Sequence, residues 1–329
     1  MSMKRSLSER ICRRLEMTVS AFKQDCRFSV RLALYRMIDD LTWRAGQKRV
    51  STYFHDKKDR YIQNYLEKLL QPVIERYVDD HELGEQVENA PIWVCWWNGE
   101  DAAPPLVRQC IRSIRKQAGN HPVHLITEQT YTDYLELPSY FQANLEKGTM
   151  GFAHLADYIR VKLLAQYGGL WLDATMFCAR PLSELCFSLP VFTCKSEPME
   201  SRYLSKYQWA TFCLGGYKGN VFYRFLKDAF EAYWRSHAYA IDYLFFDHMI
   251  HLALEKIPAI RACLKDVPAN NVHRDDLQAA MNAALPAEAF ESVLSEDTTL
   301  YKLSWRETYS MKTEDGRPSV YAYFLKMVI

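Results

Sequence analysis

Residues 151–180 read GFAHLADYIRVKLLAQYGGLWLDATMFCAR: a helix, a glycine stop, a short buried strand, then an aspartate. Ala153, Leu155, Ala156, Ile159, Val161, Leu163 and Leu164 give the helix its apolar surface. Asp157 and Arg160 are three residues apart and so share one side of it. Gly168 and Gly169 end it, because glycine adopts the left-handed backbone a helix terminus needs. Leu170-Trp171-Leu172 is too short and too apolar for anything but an interior strand. Asp173 then emerges where open α/β sheets place their ligands, beyond the carboxyl ends of the strands. Singly, a helix-surface ion pair and a turn-capping aspartate are ordinary features. Their combined order, Asp-x-x-Arg, Tyr-Gly-Gly, apolar strand, Asp-x-Thr, is far more specific.

Upstream, Ile92-Trp93-Val94-Cys95-Trp96-Trp97 is aromatic and β-branched, as strands are, and Asn98-Gly99 turns the chain. Pro104-Pro105 opens a helix through Leu106, Cys110 and Ile114, and Val123-His124-Leu125-Ile126 is a second strand. Strand, helix, strand begins a parallel sheet. Downstream, Phe192-Thr193-Cys194-Lys195 and Ala210-Thr211-Phe212-Cys213 read as strands, after which Gly215 and Gly216 allow close backbone approach to a ligand. Asn220 caps a helix carrying Phe222, Phe225, Leu226, Phe230 and Tyr233. Residues 298–305 form a last strand. The fold expected is α/β, a mostly parallel sheet flanked by helices.

The first 88 residues read as a helical region, and residues 89–329 as the main domain. Leu7, Ile11, Leu15, Val19 and Phe22 recur at near-helical spacing, as do Val30, Leu32, Tyr35 and Ile38, then Tyr61, Tyr65, Leu69 and Val73. The acidic stretch 79–90 ends before Pro91 and marks the boundary. Net charge is +1 over 329 residues, which exerts no general pull on nucleic acid. It is unevenly spread: the first 60 residues hold 15 Lys or Arg against 7 Asp or Glu. A basic amphipathic segment of this kind can rest on an anionic membrane surface, or pack on the core as a solvated face. No apolar run approaches the length of a membrane span, and the nine scattered cysteines read as reduced core residues. The expected location is cytoplasmic, with peripheral contact on the inner face of the plasma membrane as the alternative.

The central motif resembles the sugar-binding region of DXD glycosyltransferases, whose pattern is Asp-x-x-Arg, Tyr-Gly-Gly, hydrophobic strand, Asp-x-Asp. It is most similar to the bacterial capsular polysaccharide synthesis proteins, where the last element reads Asp-Ala-Thr, as Asp173-Ala174-Thr175 does here. The resemblance covers roughly residues 90 to 310 and implies a GT-A-like fold. It also implies transfer of a sugar from a nucleotide-diphosphate donor, a uridine diphosphate sugar, to a capsular or surface polysaccharide, lipid-linked or free, with retention of configuration.

The same resemblance distributes roles over the chain. Asp157 holds sugar hydroxyls, and Arg160 contacts sugar or phosphate. Asp173 ligates a metal and touches ribose or sugar hydroxyls. Trp96 and Trp97 offer a flat surface to the base, although Asn98 replaces the first glycine of the related segment. Lys302, Ser304 and Trp305 look like a closing loop: lysine for the diphosphate, serine for metal or phosphate, tryptophan over the leaving group. A departing diphosphate gains negative charge, so positive charge must stand ready for it. A divalent metal, Mn2+ or Mg2+, on carboxylate oxygens is the usual device. Thr175, in place of the second aspartate, is a weaker, neutral ligand: either another residue, Ser304 beside Asp173, completes the metal's shell, or the diphosphate holds the metal, and metal dependence stays open between the two. Asp242 and Asp247 are the remaining acidic candidates on the acceptor side, Asp247 for catalysis. His248 and His251 lack the four-residue spacing of a two-histidine zinc helix. Two other readings stand: a non-catalytic nucleotide-sugar-binding or scaffolding protein, supported by Thr175, and a sugar nucleotidyltransferase. The latter needs a glycine-rich phosphate loop that residues 98–105 do not resemble.

Overall fold

In a computed structural model, residues 19, 22, 23, 25–286 and 290–327 are described. Two helices come first, α1 (Val30–Arg44) and α2 (Lys48–Tyr77). They are followed by β1 (Ile92–Cys95), α3 (Pro105–Gln117), β2 (Val123–Ile126), α4 (Ser139–Glu146) and α5 (Phe152–Tyr167). Next come β3 (Gly169–Leu172), β4 (Met176–Cys178), β5 (Val191–Thr193) and β6 (Cys213–Gly216). The chain continues through α6 (Val221–Ser236), α7 (Phe245–Lys256), α8 (Pro258–Asp266) and α9 (Asp276–Ala280) to β7 (Leu300–Lys302) and α10 (Val320–Phe324).

The main sheet has the order β2-β1-β3-β6-β5. β1 runs parallel to both β2 and β3, while β6 is antiparallel to β3 and to β5. Four of the five strands therefore point the same way, and the expected α/β architecture is the one observed. Side chains alternate across it. Trp93, Trp171 and Leu214 enter one apolar cluster with α5, α6 and α7, and Leu32, Ile62 and Leu66 of the N-terminal helices join it. Ile92, Val94, Leu170 and Leu172 enter a second cluster with α3, β4 and β7. The helices before residue 89 thus share a core with the sheet. The repeat at Leu7, Ile11 and Leu15 lies outside the described residues.

Several local expectations hold. Asn220 caps α6, its side chain accepting from the Phe222 N–H. Pro105 opens α3. The eight described cysteines are free thiols, six of them buried. Two expectations change. The strand foreseen at 210–213 is Cys213–Gly216 instead, so Gly215 and Gly216 lie inside the sheet. Their close neighbours are protein: a Cβ on Gly216 would stand 2.4 Å from the Pro190 carbonyl oxygen. They are small so that β6 can pack, and the close approach is to protein and not to a ligand. Val30, grouped by spacing with the buried Leu32, is 60% exposed.

Candidate active site

Helix α5 and strand β3 deliver the three central charges. α5 ends at Gly168 (φ 68°), and Gly169 follows at φ 96°. A Cβ on Gly169 would meet the Pro91 carbonyl oxygen at 2.1 Å, so only glycine lets β3 start against residue 91. The strand then brings Asp173 to the carboxyl edge of the sheet. The register Trp93↔Trp171 sets the end of β1, and hence Trp96, beside it. Arg160 Nη1 lies 3.3 Å from Asp157 Oδ1, and Arg160 Nη2 lies 3.0 Å from Asp173 Oδ1. The Trp171 indole N–H also donates to Asp173 Oδ1, at 3.0 Å.

Arg160 is 4% exposed, its guanidinium near the rings of Trp171 (4.8 Å) and Phe246 (5.3 Å). Such a buried cation is tolerable because two carboxylates face it. Its Nε and Nη1 nonetheless have no hydrogen-bond partner. Asp173 is the outward member of the group, with 31% of its side chain exposed. Beneath the cluster, burial pushes the Cys95 thiol up to about 12, so it stays neutral.

The C-terminal segment reaches the same place through a separate two-stranded ribbon. β4 pairs antiparallel with β7, with Met176 opposite Lys302. The Lys302 ammonium donates to Thr175 Oγ1 and stands 3.7 Å from Asp173 Oδ2. The Leu303 N–H closes the turn on the Thr175 carbonyl at 3.0 Å. Ser304 is fixed by its backbone: its N–H donates to Gln278 Oε1 at 2.7 Å, while its Oγ accepts from the Arg306 N–H at 3.3 Å. Trp305, largely exposed, meets Trp96 edge to face at 5.7 Å. The Trp96 indole nitrogen is buried without a partner. Trp97 turns elsewhere, stacked on Tyr131 at 5.4 Å and close to Phe152.

Asp247, on α7, accepts from the Trp209 indole N–H at 2.8 Å. Burial pushes its carboxyl up to about 6; Trp209 opposes the rise, the charge of Asp157 adds to it, and Arg160 lowers it. Asp247 therefore belongs to the same electrostatic group. Asp242 adds to the rise at Asp247 but is itself buried against Arg36 (2.8 Å) and Lys58 (3.9 Å), tying the start of α7 to the N-terminal helices. His248 is held by Gln63, and burial drives it down to about 4; His251 faces Glu255. Among the described residues no group of three or more His, Cys, Asp or Glu could hold a metal by itself.

Three side chains at this site escaped the sequence reading. Trp171 has the sequence signature of strand interior alone, yet its indole N–H donates to Asp173. Trp209 gave no local signal, since its partner is 38 residues away. His154, one turn before Asp157, has a buried, unpartnered Nδ1 3.7 Å from Asp157 Oδ2, a spacing visible in the helical repeat. Cavities of about 630 and 550 Å³ open elsewhere on the described residues, the smaller lined by residues 86–89 and 117–121, which precede β1 and β2. The larger is lined in part by Trp209, and neither is lined by Asp157, Arg160 or Asp173.

The chain matches the model of a family described as capsular polysaccharide synthesis protein over residues 43–324. It is 31% identical over 121 residues to the O-glycosyltransferase braB of Annulohypoxylon truncatum, 34% of this chain and 27% of that protein. The aligned part therefore spans about a quarter of that relative's length. Among solved structures, the PaToxG glycosyltransferase aligns with a TM-score of 0.30 and 13% identity, covering 65% of this chain and 92% of that one. The family match runs from the end of α1 to the end of α10 and takes in Asp157, Arg160, Asp173, Asp247 and Lys302, so this protein belongs to the capsular polysaccharide synthesis protein family.

Proposed function

We propose that this protein is a glycosyltransferase that moves a sugar from a nucleotide-diphosphate sugar, a uridine diphosphate sugar in our reading, to a capsular or cell-surface polysaccharide. The observation that carries the proposal is the convergence of Arg160 and Lys302 on the partly exposed Asp173. Cleaving the bond between the sugar and the diphosphate leaves its electron pair on the phosphate oxygen. Two cations fixed in place beforehand stabilise that developing charge. In this reading Lys302 meets the diphosphate, and the unpartnered Arg160 donors meet sugar or phosphate. Asp157 accepts from sugar hydroxyls, and Asp173 from ribose or sugar hydroxyls. Trp96, with its unpartnered indole N–H, and Trp305 flank the base and the leaving group. Asp247, protonated near neutral pH more than an ordinary aspartate, stands on the acceptor side. Retention of configuration, by displacement on the face the diphosphate leaves, is part of the proposal.

A divalent Mn2+ or Mg2+ ion fits the donor set in part. Asp173 Oδ2 accepts no hydrogen bond and is open to a cation, and Ser304 is the second candidate ligand. The remaining oxygens would come from the diphosphate, since Thr175 is engaged by Lys302. When bound, such an ion neutralises phosphate charge. The acceptor would be a glycan, free or lipid-linked.

A thermal-shift screen of nucleotide sugars, with and without manganese, tests the reading. One donor should raise the melting temperature by mass action, and Asp173→Ala should abolish the shift. A scaffolding protein that retains the nucleotide site would show the shift without turnover.

A further inference from the structure

Helix α1 carries apolar side chains on two faces. The inward face buries Leu32 and Ala33, and Leu32 joins Ile62 and Leu66 of α2 in the core. The outward face is apolar as well. A step of about 100° per residue sets Val30, Leu34 and Leu41 within about 40° of one another. Each keeps between 40% and 60% of its surface exposed. At the α1–α2 turn, Trp43 and Val50 are exposed to a similar degree. Single exposed hydrophobic residues are ordinary; a row of them along one helix face marks an interaction surface.

The charges around this row are nearly all positive. Arg31, Arg44, Lys48 and Arg49 are exposed. Among residues 25–55 the carboxylates are Asp25, Asp39 and Asp40; the first two are buried, and Asp40 is already paired with Arg44 at 2.8 Å. An apolar helix face bordered by cations, with an indole at its end, has the composition of an element lying in a membrane interface.

We propose that this face of α1, with the α1–α2 turn, docks on an anionic lipid surface. Val30, Leu34 and Leu41 enter the boundary between headgroups and acyl chains, Trp43 sits at the interface, and the four cations meet lipid phosphates. Lipid is preferred to a protein partner because the exposed charge bordering the row is mostly positive and carried on long side chains. The proposal is independent of the transfer reading, since it concerns a surface remote in sequence from the charged cluster and needs no donor to be tested.

The full chain is sedimented with vesicles of phosphatidylcholine alone and with vesicles containing one third phosphatidylglycerol. Binding is expected only to the second, weakening as salt is raised. The pairs Leu34→Glu/Leu41→Glu and Arg31→Glu/Arg49→Glu should each lower the partition coefficient at least about tenfold. Should either pair disturb folding, Trp43→Phe gives a separate readout: the blue shift of tryptophan emission on anionic vesicles should shrink. Absence of binding to anionic vesicles overturns the proposal, as does equal binding by wild type and variants. So does a concentration-dependent dimer that the Leu34/Leu41 substitutions dissolve, which would assign the face to a second copy.

Discussion

Arg160 Nη2 bonds Asp173 Oδ1 at 3.0 Å, joining the middle of α5 to the residue that leaves β3. The same guanidinium holds Asp157 at 3.3 Å, so one buried cation sets the separation of two carboxylates. Replacing Arg160 with methionine leaves both carboxylates without their shared partner. Removing one member of a buried ion pair costs about 3–5 kcal/mol; with Asp173 partly solvated, we expect about 2–4. Urea unfolding of Arg160→Met and Arg160→Lys checks this, with lysine intermediate because it cannot bridge both oxygens.

Gly169 offers a test of the backbone geometry that aims Asp173. At φ 96°, with a carbonyl oxygen 2.1 Å from the Cβ position, alanine forces residue 91 and β3 apart. Gly169→Ala should destabilise by at least about 2 kcal/mol. Gly99→Ala is the control: φ is also positive there, but nothing lies within 4 Å of the added methyl group. The difference between the two melting temperatures isolates the contact from the conformational strain.

Asp247 makes stability depend on pH. Its folded carboxyl holds its proton up to about 6 against an ordinary 3.8, so the native state binds the proton more tightly than the unfolded chain. That contribution is full below about pH 4 and is lost as pH rises through about 6. Asparagine cannot ionise and retains an oxygen for the Trp209 N–H. Asp247→Asn should therefore match wild type near pH 4 and exceed it at pH 8 by up to about 3 kcal/mol. Denaturant titrations at the two pH values decide it.

Lys302 tests whether the β4–β7 ribbon supplies working charge. Its ammonium is partly exposed and lies against Thr175 and Asp173, so Lys302→Met should fold normally. Loss of a hydrogen bond to a charged phosphate is worth about 1.5–3 kcal/mol, so uridine diphosphate should bind about ten- to a hundredfold more weakly by titration calorimetry. Unchanged affinity would remove Lys302 from the site.

What could be read from the sequence was local. The helix, the glycine pair, the apolar strand and Asp173 are continuous over residues 152–173, and their mutual geometry follows from helical spacing and strand length. The sequence marks Lys302 as a candidate, but its neighbour Thr175 is 127 residues away, a relation that only the β4–β7 pairing creates. Trp209 was invisible for the same reason. β6 was misplaced because Gly215 and Gly216 have little intrinsic strand preference; pairing with Gly169 and Leu170 decides their state. Val30 fitted the helical repeat of the buried residues, since periodicity cannot tell which of two apolar faces meets the core.

The central claim is that Asp157, Arg160, Asp173 and Lys302 together handle a nucleotide sugar. Its most direct test is release of nucleoside diphosphate from a panel of nucleotide sugars by wild type, Asp157→Asn and Asp173→Asn, with circular dichroism to verify folding. The account predicts turnover of at least one donor by wild type and a loss of about a hundredfold or more in each variant. Turnover that survives Asp173→Asn, or a wild type that neither binds nor cleaves any donor, would contradict it.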